Sequence, residues 1–203
     1  DISKIVFIKD TLLNLVNKNN KIYLLSHFGR PEGKVDINFS LKFLTSAIEN
    51  IIQLGKIGFA DNCIGEKLKN KISLTQYGEI CLLENVRFHV GEESNDTFFA
   101  KELSKNYDIY INDAFSVSHR THASIVGITK FLPSYGGLLL QKEILALKSI
   151  LEKPTRPSMA IIGGSKVSTK ISLLKNLAKR LDYLAITGGM ANTFLASKGY
   201  HLG

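Results

Sequence analysis

The chain has 203 residues, of which 44% are hydrophobic and 22% charged, a composition that is ordinary for a folded globular protein. It has no run of about 18 apolar residues, so we expect no membrane span. Its two cysteines, Cys63 and Cys81, lack CxxC spacing, which indicates free thiols in a reducing compartment and argues against a disulfide framework. The opening residues are neither a signal peptide nor an initiator methionine, so we expect further residues upstream.

Strands and helices alternate along the sequence. The pattern predicts strands at 21–25, 56–60, 79–83, 107–112, 158–162 and 183–187, and helices at 41–52, 66–71, 97–105, 137–153 and 167–181. Ser40 is the expected N-cap of the first of these helices. Repeated strand–helix units of this length predict the α/β class, with a doubly wound, mostly parallel sheet and helices on both faces.

A domain boundary is predicted after the long helix at 137–153, where Pro154 and Pro157 stop helical structure. We therefore divide the chain into a first domain at 1–136, a connecting helix at 137–153 and the beginning of a second α/β domain at 154–203. The second part is too short for a complete α/β domain, so we expect it to be truncated.

Cations follow three predicted strands. Ligands of open parallel sheets bind beyond the carboxyl ends of the strands, and three of the five arginines and four of the five histidines follow strands there. The arginines are Arg30, Arg87 and Arg120. Because arginine presents a planar fork of donors to phosphate or carboxylate, the pattern predicts a site for a small polyanion.

Two other interpretations of the cations remain open. Each arginine can instead pair with a local carboxylate such as Glu84 or Asp113, although three together at strand ends make this less attractive. The net charge of +8 also allows a nucleic-acid-binding module. The aromatic residues follow core periodicity, however, and do not form a stacking platform, so we expect no nucleic-acid partner.

A second candidate site follows the strand at 158–162, in the segment GGSKVSTK at 163–170. Glycines at a strand-to-helix turn expose backbone N–H groups that attract phosphate. Lys166 and Lys170 are four residues apart, which predicts a shared helix face, a spacing that is also common on solvated surfaces. Neither a GxxxxGK[ST] loop nor a GxGxxG element is present.

Five segments together resemble phosphoglycerate kinases in order and spacing over the whole chain. They are LLSHFGRP, LLENVRFH, YINDAF with SHRTHAS, GGSKVSTKI and GGMANTFL. The resemblance implies a Rossmann-like first domain that binds phosphoglycerate and a second domain that binds nucleotide. It implies transfer of the acyl phosphate of 1,3-bisphosphoglycerate to ADP, giving 3-phosphoglycerate and ATP with Mg²⁺, in glycolysis. It further implies a monomeric cytoplasmic protein.

The resemblance also implies roles for individual residues. The residues matching the family's substrate site are His27, Phe28, Gly29, Arg30, Arg87, His119, Arg120 and His122. Those matching its nucleotide site are Gly163, Gly164, Lys170, Gly188 and Gly189. Lys166 matches a lysine near the transferring group, and no residue of this chain matches a metal ligand, because the family's Mg²⁺-nucleotide ligands lie beyond residue 203.

Several positions depart from the family pattern. The family's D-x-x-R-I segment reads Asp1–Ile5 here, with Lys4 where an essential arginine is expected, and lysine lacks the bidentate fork. Thr187 stands where many members have glycine. The family also has an earlier strand that binds glycerate and a later glycine-rich loop. From these departures we expect little or no turnover from these 203 residues alone, and a degenerate relative that binds only an anion or a partner protein is the alternative.

Overall fold

The computed structural model describes residues 2–152 and 154–202. The α-helices are α1 (Ser3–Asn17), α2 (Leu44–Ile52), α3 (Glu66–Leu74), α4 (Val90–Glu93), α5 (Thr97–Ser104), α6 (Leu138–Glu152), α7 (Ile171–Ala178) and α8 (Gly189–Ser197). The strands are β1 (Ile22–Leu24), β2 (Gly58–Ala60), β3 (Ile80–Leu83), β4 (Tyr110–Asn112), β5 (Ser134–Gly136), β6 (Met159–Gly163) and β7 (Tyr183–Thr187).

The chain divides into two compact units, Asp1–Glu143 and Ile144–Gly203. In the first unit the strand order is β1-β3-β2 in one sheet and β4-β5 in another, and in the second unit β6 pairs with β7. Every strand pair among the described residues is parallel. The predicted α/β class with parallel sheets is therefore confirmed.

The central strand β3 explains why helices cover both faces of the first sheet. All four of its residues are buried, and successive side chains of a strand point to opposite faces. Ile80 and Leu82 pack in a core with residues of α1 and α2, including Leu12 and Ile48. On the other face, the partners of β3 come from α3, α5 and the segment that follows β4.

That second core contains Cys81 and Leu83 of β3 with Leu68 of α3 and Phe99 and Leu103 of α5. Burial raises the pKa of the Cys81 thiol to about 11 and that of Cys63, in the same core, to about 12. Both cysteines are free. They therefore pack as small apolar side chains and stay protonated at neutral pH.

The second unit pairs Met159 with Tyr183 at one end of its two strands and Gly163 with Thr187 at the other. Leu174 of α7 and Met190 of α8 are buried beside them. The strand at 183–187 is the one that the sequence predicted residue for residue.

Three predicted helix starts differ from the structure, that of α6 by one residue and the other two by more. The helix predicted from residue 41 begins at Leu44, because the Ser40 hydroxyl and the Leu41 N–H both bind the Glu84 carboxylate. The helix predicted from residue 167 begins at Ile171, after a turn in which Lys170 N donates to Val167 O. The helix predicted at 137–153 corresponds to α6, and its predicted last residue, Lys153, lies outside the described residues.

Candidate functional site

The loops after β1 and β3 are joined by hydrogen bonds at the carboxyl edge of the sheet. Val86 N donates to Ser26 O at 3.1 Å, and Asn85 Nδ2 donates to Phe28 O at 2.7 Å. Arg87 Nη1 donates to Gly29 O at 2.8 Å. Two segments nearly 60 residues apart in sequence are thus held together, as expected for neighbouring parallel strands.

Asn85 organises this junction although it is fully buried. Its amide nitrogen also donates to Phe39 O at 2.9 Å, and its Oδ1 accepts from Arg87 N at 3.1 Å. Buried polar groups are costly without partners, and here both ends of the amide are satisfied. The amide therefore fixes the backbone on which Arg87 is carried.

Gly29 is required at its position for two reasons. Its φ is +64°, and a Cβ at this residue would overlap the ring of Phe39. Residues with a side chain rarely adopt this conformation. The glycine lets the His27–Arg30 loop pass closely over Phe39 and turns the Gly29 carbonyl to Arg87.

His27 is surrounded by cations. The pKa of His27 is lowered from 6.5 to about 4, first by burial and then by the charges of Arg87, Arg120, His122 and Lys4, in that order of importance. These groups come from the loops after β3 and β4 and from the first turn of α1. We call His27 with these four residues the cation cluster.

The arginines of the cation cluster keep unused donors. Arg87 is only 5% exposed, and its Nη2 has no hydrogen-bond partner among the described residues. Its Nε lies 3.0 Å from Glu93 Oε1, an ion pair without hydrogen-bond geometry. Arg120 Nε is also buried and has no partner within residues 2–152 and 154–202. Buried donors of this kind are rare, so an added acceptor would be favourable.

Three other residues predicted for this site lie at the protein surface. Arg30, which follows Gly29, is exposed, as are Phe28 and His119. Phe28 packs edge-to-face on Phe39 and Phe43. Proximity to His27 thus groups Arg87 with Arg120, while no described contact places Arg30 with them.

No arginine pairs with Glu84 or Asp113 among the described residues, but Arg87 does pair with another nearby carboxylate, Glu93, so the local-carboxylate interpretation holds for that arginine. Glu84 accepts from Ser40 Oγ, Leu41 N and Asn85 N instead. Asp113 accepts from Thr11 Oγ1 at 2.5 Å and from the Leu140 N–H at 2.8 Å. Both carboxylates are structural acceptors, which leaves the arginines to other partners.

In the second unit, the loops after β6 and β7 pack backbone against backbone. Met190 N donates to Gly164 O at 2.8 Å, and a Cβ on Gly189 would lie 3.3 Å from Ser165 Cα. Gly164 and Gly188 have φ of +154° and +65°. The predicted glycines 163, 164, 188 and 189 therefore lie together in what we call the glycine turn.

The two lysines of this segment do not share a helix face, which corrects the prediction. Lys170 immediately precedes α7, and its Nζ donates to Gly163 O at 2.8 Å. Lys166 lies in the loop before the helix and is exposed. Because α7 begins at Ile171, after both lysines, their four-residue spacing does not place them on one helix face.

Three residues that shape the first site were missed as contributors. Glu84 and Asn85 follow β3 directly, so their position was visible in the sequence, but their partners were not. Glu92 is 2% exposed and accepts from both Ser124 Oγ and Ser124 N. An acidic pair at 92–93, close behind a strand end rich in cations, was the only sequence signal for it.

Two further searches gave negative results within the described residues. None of the helices there is long and apolar enough to cross a membrane. No three His, Cys, Asp or Glu side chains in that part of the chain converge as metal ligands.

Comparison with known proteins links this geometry to one family. A family model described as "Phosphoglycerate kinase" matches residues 1–203. The chain is 50% identical over 203 residues to a phosphoglycerate kinase of Bartonella tribocorum, which covers 100% of the chain and 51% of that protein. It is 53% identical over 195 residues to the protein of the same name from Bartonella henselae, covering 96% of the chain and 49% of the relative.

Two solved structures of phosphoglycerate kinases superpose on this chain. The phosphoglycerate kinase from Coxiella burnetii superposes with a TM-score of 0.82 at 37% identity, covering 99% of this chain and 50% of that one. The enzyme from Pyrococcus horikoshii gives a TM-score of 0.85 at 27% identity, covering 99% and 51%. The chain thus spans about half the length of the relatives that it matches.

Proposed function

Because the chain belongs to the phosphoglycerate kinase family, we propose that the cation cluster binds the phosphate of 3-phosphoglycerate or 1,3-bisphosphoglycerate. One observation carries this proposal: Arg87 and Arg120 act on the same histidine, and each has a buried donor without a hydrogen bond. Phosphate oxygens are strong acceptors for guanidinium groups. Arg30, His119, Phe28 and Gly29 form the proposed rim of the same site.

The proposed nucleotide site is the glycine turn with Lys170. Gly164, Gly188 and Gly189 present backbone without side chains at the N-terminus of α8, and a helix N-terminus favours phosphate, although the Met190 N–H is already taken by Gly164 O. Lys170 supplies a cation beside Gly163. We propose ADP or ATP as the ligand of this turn.

The proposed reaction of the whole protein is transfer of the acyl phosphate of 1,3-bisphosphoglycerate to ADP, a step of glycolysis. Phosphoryl transfer depends on positioning and on neutralising charge at the oxygens of the transferred group. Lys4 and Lys166 are the cations that we propose for that role. The cytoplasmic location and the monomeric state expected from the resemblance stay predictions.

Magnesium accompanies nucleotides in this reaction class, and its fit can be judged from the donors present. Mg²⁺ in such sites is usually held by one or two carboxylates together with the phosphates of the nucleotide. No three His, Cys, Asp or Glu side chains converge among the described residues, and we propose none of them as a magnesium ligand.

A calorimetric titration of the chain with 3-phosphoglycerate tests the proposal. Replacing Arg120 by Gln should weaken binding by about 2 kcal/mol, because a charge-assisted hydrogen bond is lost. Arg180→Gln, which changes the same residue type in the second unit, is the matched control and should bind as the wild type does. Equal affinities of wild type and Arg120→Gln, or no saturable binding by the wild type, would contradict the proposal.

A further inference from the structure

Glu92 is a buried carboxylate whose contacts all lead to one loop beside the cation cluster. Its Oε1 accepts from Ser124 Oγ at 2.5 Å and its Oε2 accepts from Ser124 N at 2.9 Å. The same Oε1 lies 3.6 Å from His122 Nδ1. A buried carboxylate is costly unless it is paired and hydrogen-bonded, so this arrangement strongly restricts the loop.

The loop in question carries two members of the cation cluster. Arg120 and His122 both act on His27, and the His122 carbonyl accepts from Ile125 N and Val126 N. The backbone of His122 is thereby fixed from its carboxyl side, and its ring faces Glu92 at a distance longer than a hydrogen bond. With Nδ1 turned to Glu92, the opposite ring nitrogen Nε2 is turned away from that carboxylate.

We propose that Glu92 is a positioning residue for anion binding, acting through His122: it holds the Nδ1 edge of the ring and leaves Nε2 to donate to the bound phosphoglycerate. This inference rests on the proposed function. Glu92 itself does not touch the ligand.

Two substitutions separate this role from plain structural support. In Glu92→Gln, the amide oxygen can still accept from Ser124 N, and the amide nitrogen can donate to the Ser124 hydroxyl, but the charge facing His122 is lost. In Ser124→Ala, the hydroxyl contact is lost while the charge remains. Glu66→Gln removes one negative charge from an exposed side chain on α3 and serves as the control.

Titration calorimetry with 3-phosphoglycerate, paired with thermal melts, provides the first readout. Glu92→Gln should bind about tenfold more weakly, equivalent to about 1.4 kcal/mol, with a melting temperature close to that of the wild type. Ser124→Ala and Glu66→Gln should bind within about twofold of the wild type, because neither changes the group facing His122. Wild-type affinity in Glu92→Gln overturns the proposal, as does an equal loss in Ser124→Ala.

A double-mutant cycle tests whether the effect passes through His122. In a His122→Gln background, Glu92→Gln should cause no additional loss of affinity, because the group on which it acts is gone. Additive losses would show that Glu92 acts by another route and would overturn the proposal.

Nitrogen-15 spectra of the histidine rings in the wild-type chain give a readout that needs neither a variant nor a ligand. His122 Nδ1 should carry a proton, and a spectrum with a bare Nδ1 at neutral pH overturns the proposal even if Glu92→Gln fails to fold. If the wild-type chain does not bind 3-phosphoglycerate, the proposed function fails, and this spectrum still decides the orientation of the ring.

Discussion

Ser40 Oγ donates a 2.6 Å hydrogen bond to Glu84 Oε2, which ties the segment before α2 to the residue that follows β3. The other oxygen, Oε1, accepts from Leu41 N and Asn85 N, each at 2.8 Å. One carboxylate therefore accepts from three donors. One of them is the N–H of Asn85, whose side chain links the loops after β1 and β3 in the proposed phosphoglycerate site.

Glu84→Ala should lower the free energy of unfolding by about 2–4 kcal/mol, because the N–H groups of Leu41 and Asn85 lose their acceptor where little water can replace it. Glu84→Gln is the matched control and should cost far less, since its amide can serve the same partners. Urea denaturation of both variants measures the difference. Equal stability of the two variants would show that these hydrogen bonds contribute little.

Gly29→Ala should be more destabilising than Gly55→Ala, although both positions have positive φ, +64° and +96°. The reason is steric, since a Cβ at Gly29 overlaps Phe39 whereas a Cβ at Gly55 meets nothing within 4 Å. We expect about 1–2 kcal/mol for the backbone strain at Gly55 and a larger loss at Gly29. Denaturant melts of the two variants decide this, and equal losses would contradict the close approach to Phe39.

The pKa of His27 should be about 4 in the free protein and should rise when 3-phosphoglycerate binds, because the anion offsets the field of Arg87 and Arg120. A folded-state pKa below the unfolded value of 6.5 stabilises the fold above pH 6.5, and this contribution is lost as pH falls toward 4. Ring proton shifts followed against pH measure both values.

The Arg120→Gln variant provides the control for that titration. With one cation removed, the pKa of His27 in the free protein should already be higher than in the wild type. An unchanged pKa in this variant, together with no rise on addition of ligand, would show that burial alone sets the protonation of His27.

Lys4→Arg should tighten binding of 3-phosphoglycerate by about threefold to tenfold, because a guanidinium fork can make two parallel bonds where an ammonium makes one. Lys4 lies in the first turn of α1 and lowers the pKa of His27, so it is close enough to act on a ligand of the cation cluster. Lys18→Arg, at the far end of the same helix, is the control. Identical affinity for wild type and Lys4→Arg would mean that Lys4 does not contact the anion.

The parts of the fold that depend on local pattern were predictable. Burial on both faces made β3 an unbroken apolar run, and β7 was predicted to the residue. The start of α2 was not, because Glu84, 44 residues away from Ser40, accepts from the Ser40 hydroxyl and the Leu41 N–H, and the helix begins only at Leu44. The start of α7 was missed because the chain makes a turn ending at Lys170 before the helix begins.

The candidate site, like the fold, was predictable where it depends on position along the chain and not where it depends on tertiary contacts. Strand-end position placed His27 and Arg87 near each other, because β1 and β3 are neighbours in one parallel sheet. Arg120 and His122 follow β4 of a separate sheet, and tertiary packing brings them to His27. The Gly29 carbonyl as partner of Arg87, 58 residues away, and Ser124 as partner of Glu92 depend on tertiary contacts that no local pattern contains. Arg30 was grouped with the others by the same rule, but in the structure it is exposed and no described contact joins it to them.

The most direct test of the central claim, that the cation cluster is the phosphoglycerate site, is to map 3-phosphoglycerate on the 203-residue chain by nuclear magnetic resonance. Saturable shifts should be concentrated at residues 26–30, 86–89 and 118–122, and the residues of β6 through α8 should remain unchanged. Shifts concentrated in the second unit, or no saturable shift in the three loops, would contradict the account.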